Sequence, residues 1–134
     1  YPREAAVRYK VGHHCFYAVE YAARTASELV ADIVKVNSPH PDKTAAVQEP
    51  YAGHFSSQEA VDAVVRPADG TLGLISGGSR AGDEAMLDKA RQSMQAGATG
   101  LIFGRNVWQR PHDESLHFVA ALRKILDEHP SDPG

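Results

Sequence analysis

Ala31-Asp32-Ile33-Val34-Lys35-Val36 reads as a short buried β-strand that sets a lysine where the strand should be ending. Lysine is almost never fully buried without a partner, and a desolvated amine has a lowered pKa that leaves part of it neutral and nucleophilic near pH 7. That is how a Schiff-base lysine is made. Two further strand-to-glycine junctions follow, Leu72-Gly73-Leu74-Ile75-Ser76-Gly77-Gly78 and Gly100-Leu101-Ile102-Phe103-Gly104-Arg105-Asn106. Both are suited to exposing backbone N–H groups to an anion. Together the three segments point to a carbonyl substrate that carries phosphate.

Working outward, Val19, Ala22, Ala23, Ala26 and Leu29 recur at helical spacing just before the lysine strand, which makes a helix-to-strand unit. Residues 40–54, rich in Pro, Asp and Gly, form a long excursion able to cover a site. A helix over residues 56–65 follows, with Ser56 or Ser57 as N-cap and Glu59 in its first turn. Pro67-Ala68-Asp69-Gly70 turns the chain into the strand Leu72 to Ile75. The pattern then repeats. Residues 82–95 place Met86, Ala90 and Met94 on one helical face, Gly97 stands as C-cap, and residues 100–103 form the next strand. A final helix, about Glu114 to Asp127, buries Phe118, Leu122, Ile125 and Leu126, and a polar tail, residues 129–134, reads as mobile. Strands alternating with helices imply α/β architecture with parallel βαβ units, and near-continuous apolar strands imply burial on both faces. The chain, read as a single domain over residues 1–134, supplies three or four units of a (β/α)8 TIM barrel, which needs about 250 residues. A small open doubly wound sheet is the structural alternative.

In parallel α/β folds, functional groups gather at the carboxyl ends of the strands, where Lys35, Ser76 and Arg105 all fall. Alone, Lys35 is as well explained as a strand-end residue or half of an ion pair, and Ser76-Gly77-Gly78 as a tight turn. Gly104-Arg105-Asn106-Val107-Trp108 is more specific. A glycine ends the strand, an arginine offers a two-pronged fork, and a short helix beginning there would point its first amides at the same place. Trp108 reads as a packing residue under that loop. Asp32, within the lysine strand, is a candidate support for Lys35. The other carboxylates, Asp83, Glu84, Asp88, Asp113, Glu114, Asp127 and Glu128, fall at helix starts or on solvated faces.

The 134 residues carry 14 Lys plus Arg against 17 Asp plus Glu, a formal charge of -3 that leaves no electrostatic footprint for nucleic acid. No stretch is apolar for the length of a membrane span. One cysteine, Cys15, rules out an internal disulfide and fits a reducing cytoplasmic setting; its simplest role is that of a small hydrophobe. The seven histidines show no ligand spacing, so no metal site is expected. The chain opens on Tyr1-Pro2-Arg3 without an initiator methionine, which reads as the interior of a longer protein.

Read in order, Tyr1-Pro2-Arg3, Tyr21-Ala22-Ala23-Arg24 leading into Ala31-Asp32-Ile33-Val34-Lys35, Ser76-Gly77-Gly78, and Gly97-Ala98 leading into Gly104-Arg105-Asn106-Val107-Trp108-Gln109 resemble the archaeal-type class I fructose-bisphosphate aldolases. The resemblance covers nearly the whole chain and implies the C-terminal half of a (β/α)8 barrel. It implies that Lys35 is the sixth-strand lysine that forms the Schiff base and Tyr1 the fifth-strand tyrosine that donates and accepts the proton. Ser76, Gly77, Gly78, Gly104 and Arg105 would hold a substrate phosphate. The implied reaction is reversible cleavage of fructose 1,6-bisphosphate to glycerone phosphate and glyceraldehyde 3-phosphate by a homo-oligomer, with no metal and no cofactor. Related aldolases take other phosphorylated keto compounds, and a non-catalytic phosphate-binding half-barrel is a third reading. Where the family pattern carries glycine after Tyr-Pro-Arg and before the lysine strand, this chain has Glu4 and Val30.

Overall fold

The structure, a computed structural model, describes residues 16–39, 56–66, 71–77 and 82–130. Its elements are α1 (Phe16–Glu28), β1 (Ile33–Asn37), α2 (Ser57–Val65), β2 (Leu72–Ser76), α3 (Asp83–Gln95), β3 (Gly100–Ile102), α4 (Arg105–Trp108) and α5 (His112–Glu128). Tyr1, Cys15, the excursion through residues 40–55, the turn at 67–70, Gly78 and the last four residues of the tail lie outside the described residues.

The three strands are parallel and lie in sequence order, β1-β2-β3. Lys35 stands opposite Leu74 and Asn37 opposite Ser76; Leu74 stands opposite Gly100 and Ser76 opposite Ile102. Side chains alternate between faces along a strand, and residues paired across a parallel ladder share a face. One face therefore carries Val34, Val36, Ile75 and Leu101. The other carries Ile33, Lys35, Asn37, Leu72, Leu74, Ser76 and Ile102.

Both core clusters lie against the first face. Val34 packs with Phe16, Val19 and Ala23 of α1 and with Ala60 and Val64 of α2. Ile75 packs with Met86, Ala90 and Met94 of α3 and with Phe118, Leu122 and Ile125 of α5. Burying side chains of this size is worth about 1.5–3 kcal/mol each, and that apolar face holds the helices down. All the long helices among the described residues thus cover one side of a sheet whose strands run in sequence order. A doubly wound sheet places helices on both sides. The arrangement is that of a partial α/β barrel, with the Lys35 face on the barrel's inner side.

Two sequence-based expectations change here. The lysine strand begins at Ile33 and runs to Asn37, so Lys35 sits at its centre. The expected burial on both faces is also not met, because among the described residues the inner face is open. Ile33 is 54% exposed, Leu72 50% and Ile102 37%. A barrel interior is filled by layers of side chains drawn from all its strands, and three strands supply only part of each layer.

Local signals explain the helix ends. Ser56 caps α2 in a capping box: its hydroxyl accepts from the Glu59 amide at 3.2 Å and its own amide donates to the Glu59 carboxylate at 2.8 Å. That pair holds the Glu59 carboxyl below its ordinary range. α3 closes with a Schellman turn, in which Ala98 N–H reaches Ser93 O at 3.1 Å, Gly97 N–H reaches Met94 O at 3.0 Å, and Gly97 takes φ 91°. α1 closes with the same turn, Ala31 N–H to Ala26 O at 3.1 Å and Val30 N–H to Ser27 O at 2.9 Å, but the left-handed position is held by Val30 at φ 61°. Left-handed backbone costs an ordinary residue about 1–2 kcal/mol, and a β-branched one tolerates it poorly. Val30 is 87% exposed, so little packing offsets that cost. Val30→Gly is therefore expected to stabilise the chain by about 1 kcal/mol, raising the melting temperature by a few degrees in calorimetry. An unchanged or lower melting temperature would show that the left-handed turn carries no strain.

Candidate active site

Lys35 projects from the middle of β1 onto the inner face and is exposed to solvent among the described residues, so the desolvation expected from sequence is not provided by these three strands. No ion pair joins it to Asp32, whose carbonyl instead accepts the Leu72 N–H at 3.0 Å, extending the β1–β2 ladder. One step further along the same face, Asn37 receives a short hydrogen bond from the Ser76 hydroxyl. Ser76 is buried at the end of β2. The structure therefore brings Lys35, Asn37 and Ser76 onto one surface.

The glycine junctions behave differently from each other. Gly77 does not offer its amide to an anion, because its N–H donates to Ile102 O at 3.1 Å and prolongs the β2–β3 ladder. What matters at Gly77 is the missing side chain. A Cβ there would stand 2.5 Å and 2.6 Å from two atoms of the Phe103 ring and 3.3 Å from Asn106 Nδ2. Gly104 ends the segment after β3, and its carbonyl accepts from Val107 N at 2.8 Å and Trp108 N at 3.2 Å to start α4, as the short-helix reading required. Arg105 opens that helix and is exposed. Trp108 is 67% exposed and does not pack beneath the loop, a correction to the sequence reading. Single-turn α4 turns this side chain outward, and the core under the loop is filled instead by Phe103, which meets Phe118 edge to face at 6.0 Å.

A third element ties the mouth together. Arg110 forms a two-pronged pair with Asp83 at the start of α3, with Nη1 to Oδ2 at 2.7 Å and Nη2 to Oδ1 at 2.6 Å. Its Nε donates to the Asn106 carbonyl, and its guanidinium lies 4.2 Å above the Phe118 ring. The segment after β2 is thereby fastened to the turn after β3 and to α5. Ser115 adds a second tie, its hydroxyl donating to Val107 O at 2.7 Å. A cleft of about 510 Å³ opens between these elements, lined by Asp83, Arg105, Asn106, Gln109, Arg110 and Glu114 among others, and includes none of Lys35, Asn37 or Ser76.

The hydrogen bond from Arg110 holds the Asp83 carboxyl below the ordinary range, against an opposing effect of burial, and Asp83 raises Arg110 in return. Asp83 was read from sequence only as a helix-start charge. Because its pKa is depressed on folding, its contribution is fully present above the unfolded carboxylate value and is lost as pH falls through the folded value. Between pH 7 and about pH 3, wild type should lose stability more steeply than Asp83→Asn, so that its advantage at neutral pH shrinks and the curves converge below about pH 4. Parallel melting curves across that range would contradict a role for the pair. The other carboxylate pairs among the described residues, Glu28 with Arg24 at 2.9 Å, Asp88 with Arg91 at 2.5 Å, Asp127 with Arg123 at 3.2 Å and Glu128 with Lys124 at 3.8 Å, are exposed and helical in spacing. Such pairs contribute little.

Among the described residues, no group of three or more His, Cys, Asp or Glu is placed to hold a metal ion, and no helix is long and apolar enough to cross a membrane.

Comparison with known proteins agrees with this geometry. Residues 1–110 match the family model described as DeoC/LacD family aldolase. The chain belongs to that family. Over 113 residues it is 36% identical to a fructose-bisphosphate aldolase class 1 from Halobacterium salinarum, covering 84% of this chain and 36% of that one. It is 34% identical over 119 residues to a 2-amino-3,7-dideoxy-D-threo-hept-6-ulosonate synthase of the same organism, covering 88% and 37%. Among solved structures it is similar to an archaeal fructose-1,6-bisphosphate aldolase whose catalytic Lys is covalently bound to the carbinolamine intermediate of the substrate. That match has 31% identity and a TM-score of 0.66, covering 86% of this chain and 39% of that one. The chain thus spans little more than a third of the length of the relatives it matches.

Proposed function

We propose that this chain carries the lysine-bearing, C-terminal part of a class I aldolase barrel, and that the whole enzyme reversibly cleaves fructose 1,6-bisphosphate into glycerone phosphate and glyceraldehyde 3-phosphate. The observation that carries this reading is the place of Lys35. It stands centrally on the inner face of a barrel-type sheet, with Ser76 on the same face at the end of the neighbouring strand β2 and Gly104-Arg105 in the turn that follows β3. Its amine adds to the substrate ketone, water leaves, and a protonated imine forms. When the bond between the third and fourth carbons breaks, its electrons flow into that imine to give an enamine. Protonation of the enamine and hydrolysis of the imine then release glycerone phosphate and restore the lysine. Tyr1 relays the protons in this scheme, and Ser76, Gly78, Gly104 and Arg105 hold a phosphate, while Gly77, whose amide is engaged by Ile102, lets the Phe103 ring come close. Arg105 supplies the fixed positive charge among them.

A second reading, a Schiff-base aldolase acting on another phosphorylated keto compound, is kept because the family also holds a relative of 34% identity with a different name, the hept-6-ulosonate synthase. A substrate panel separates the two. Cleavage of fructose 1,6-bisphosphate, followed by release of glycerone phosphate, is expected to exceed turnover of other keto phosphates by at least about tenfold. Turnover confined to another compound would move the assignment within the family. The work is expected in the cytoplasm, which fits the single cysteine. Homo-oligomeric assembly of the whole enzyme is expected from the family resemblance, and a stable monomer in light scattering would refute that.

A further inference from the structure

We propose that Asn106 is a phosphate-binding residue whose side-chain amide donates, beside Arg105, to the phosphate-bearing end of the substrate. This rests on the reading that Arg105 holds a substrate phosphate. Asn106 is 7% exposed, and among the described residues its side-chain amide has no hydrogen-bond partner. Buried polar side chains in native proteins are almost always hydrogen-bonded, and one left without a partner is a standing cost that calls for a reason. The residue is nonetheless held in place. Arg110 Nε donates to the Asn106 backbone carbonyl, and the Arg110 fork fastens the same turn to Asp83 at the start of α3. The side chain lies against the end of β2, where Asn106 Nδ2 is 3.3 Å from the point that a Gly77 Cβ would occupy. Glycine at 77 leaves room beside the amide.

The surroundings say what would satisfy it. Asn106 lines the cleft of about 510 Å³ together with Asp83, Arg105, Gln109, Arg110 and Glu114. The negative groups of that wall act on Arg110: Asp83 is bound to it in the two-pronged pair, and the charge of Glu114 bears on the same guanidinium. Arg105, by contrast, forms no ion pair among the described residues, so the unpaired positive charge of the cleft stands next to Asn106 in the chain. That charge attracts an anion, and the amide nitrogen adds two neutral N–H donors beside it. No bond within the chain fixes which end of the amide faces a ligand, so the nitrogen can turn to an anion. A phosphate monoester, with three strong acceptor oxygens and its charge at one end, matches both groups. A sugar hydroxyl would satisfy the amide but leave the guanidinium unanswered.

The test is calorimetric titration of the complete enzyme with inorganic phosphate, glycerone phosphate and unphosphorylated glycerone, alongside melting curves without ligand. Asn106→Leu keeps the size of the side chain and removes both polar atoms. Because the amide has no partner to lose, this variant is expected to melt no lower than wild type. It should bind inorganic phosphate and glycerone phosphate about tenfold more weakly, as expected when one donor to a charged group is lost, and bind glycerone equally well. Asn106→Asp, which sets a carboxylate against the phosphate, should lose more than Asn106→Leu. A purely structural amide would behave otherwise, with Asn106→Leu melting several degrees lower and losing phosphate and glycerone binding alike; that result would overturn the assignment. So would unchanged phosphate affinity in Asn106→Leu, or no phosphate binding in wild type. Borohydride trapping on the same preparations separates this from the Schiff-base reading. A trapped adduct on Lys35 with unchanged phosphate affinity in Asn106→Leu removes this proposal alone; no adduct in wild type, with the tenfold loss still present in Asn106→Leu, removes the Schiff-base reading and leaves this one standing.

Discussion

Lys35→Ala is expected to keep the fold and lose the chemistry. The lysine side chain is exposed on the open face of β1 and takes no part in either core cluster, so its removal should change stability by no more than about 0.5 kcal/mol. If Lys35 is the proposed nucleophile, its loss should lower aldol cleavage in the intact enzyme by at least about a thousandfold. Melting temperature and cleavage rate, measured on the same preparations, check the two halves together. A variant that retains a tenth of the activity would show that Lys35 is not the nucleophile. A variant that fails to fold would show that the lysine has a packing role this structure does not display.

Gly77→Ala is expected to do the reverse, damaging structure first. The new methyl would have to displace a Phe103 ring that lies 2.5 Å away and is itself held edge-on by Phe118. Overpacking of this kind typically costs about 1–3 kcal/mol, which in a domain of this size lowers the melting temperature by several degrees. Displacing Phe103 and the Asn106 amide also disturbs the start of α4, so phosphate affinity should fall along with stability. Gly73→Ala is the control, because a Cβ there meets nothing within 4 Å. Equal melting temperatures for the two variants would mean that the loop after β3 yields freely and that close approach at Gly77 is not needed.

Much of the fold was legible because its signals are local. Met86, Ala90 and Met94 recur at helical spacing and pack into one cluster, Gly97 holds the left-handed cap, and Ser56 with Glu59 forms a capping box. What escaped the sequence depends on register or on distance along the chain. Alternation alone does not reveal that Asn37 meets Ser76, 39 residues away, or that Ile102 takes the Gly77 amide. The Asp83–Arg110 pair spans 27 residues with no periodic signature. Val30 was visible only as a missing glycine; its φ of 61° supplies the physical reason a glycine suits that place. The misjudged burial of Lys35 has a different origin. Apolar strands were read as covered on both sides, and among the described residues only the helix side is covered.

The most direct test of the Schiff-base account is borohydride reduction of the folded chain with glycerone phosphate, followed by intact mass and peptide mapping. The account predicts a single reduced adduct on the peptide that carries Lys35, absent from Lys35→Ala. An adduct on Lys10, Lys43, Lys89 or Lys124 instead, or no adduct on a demonstrably folded sample of the complete enzyme, would contradict it.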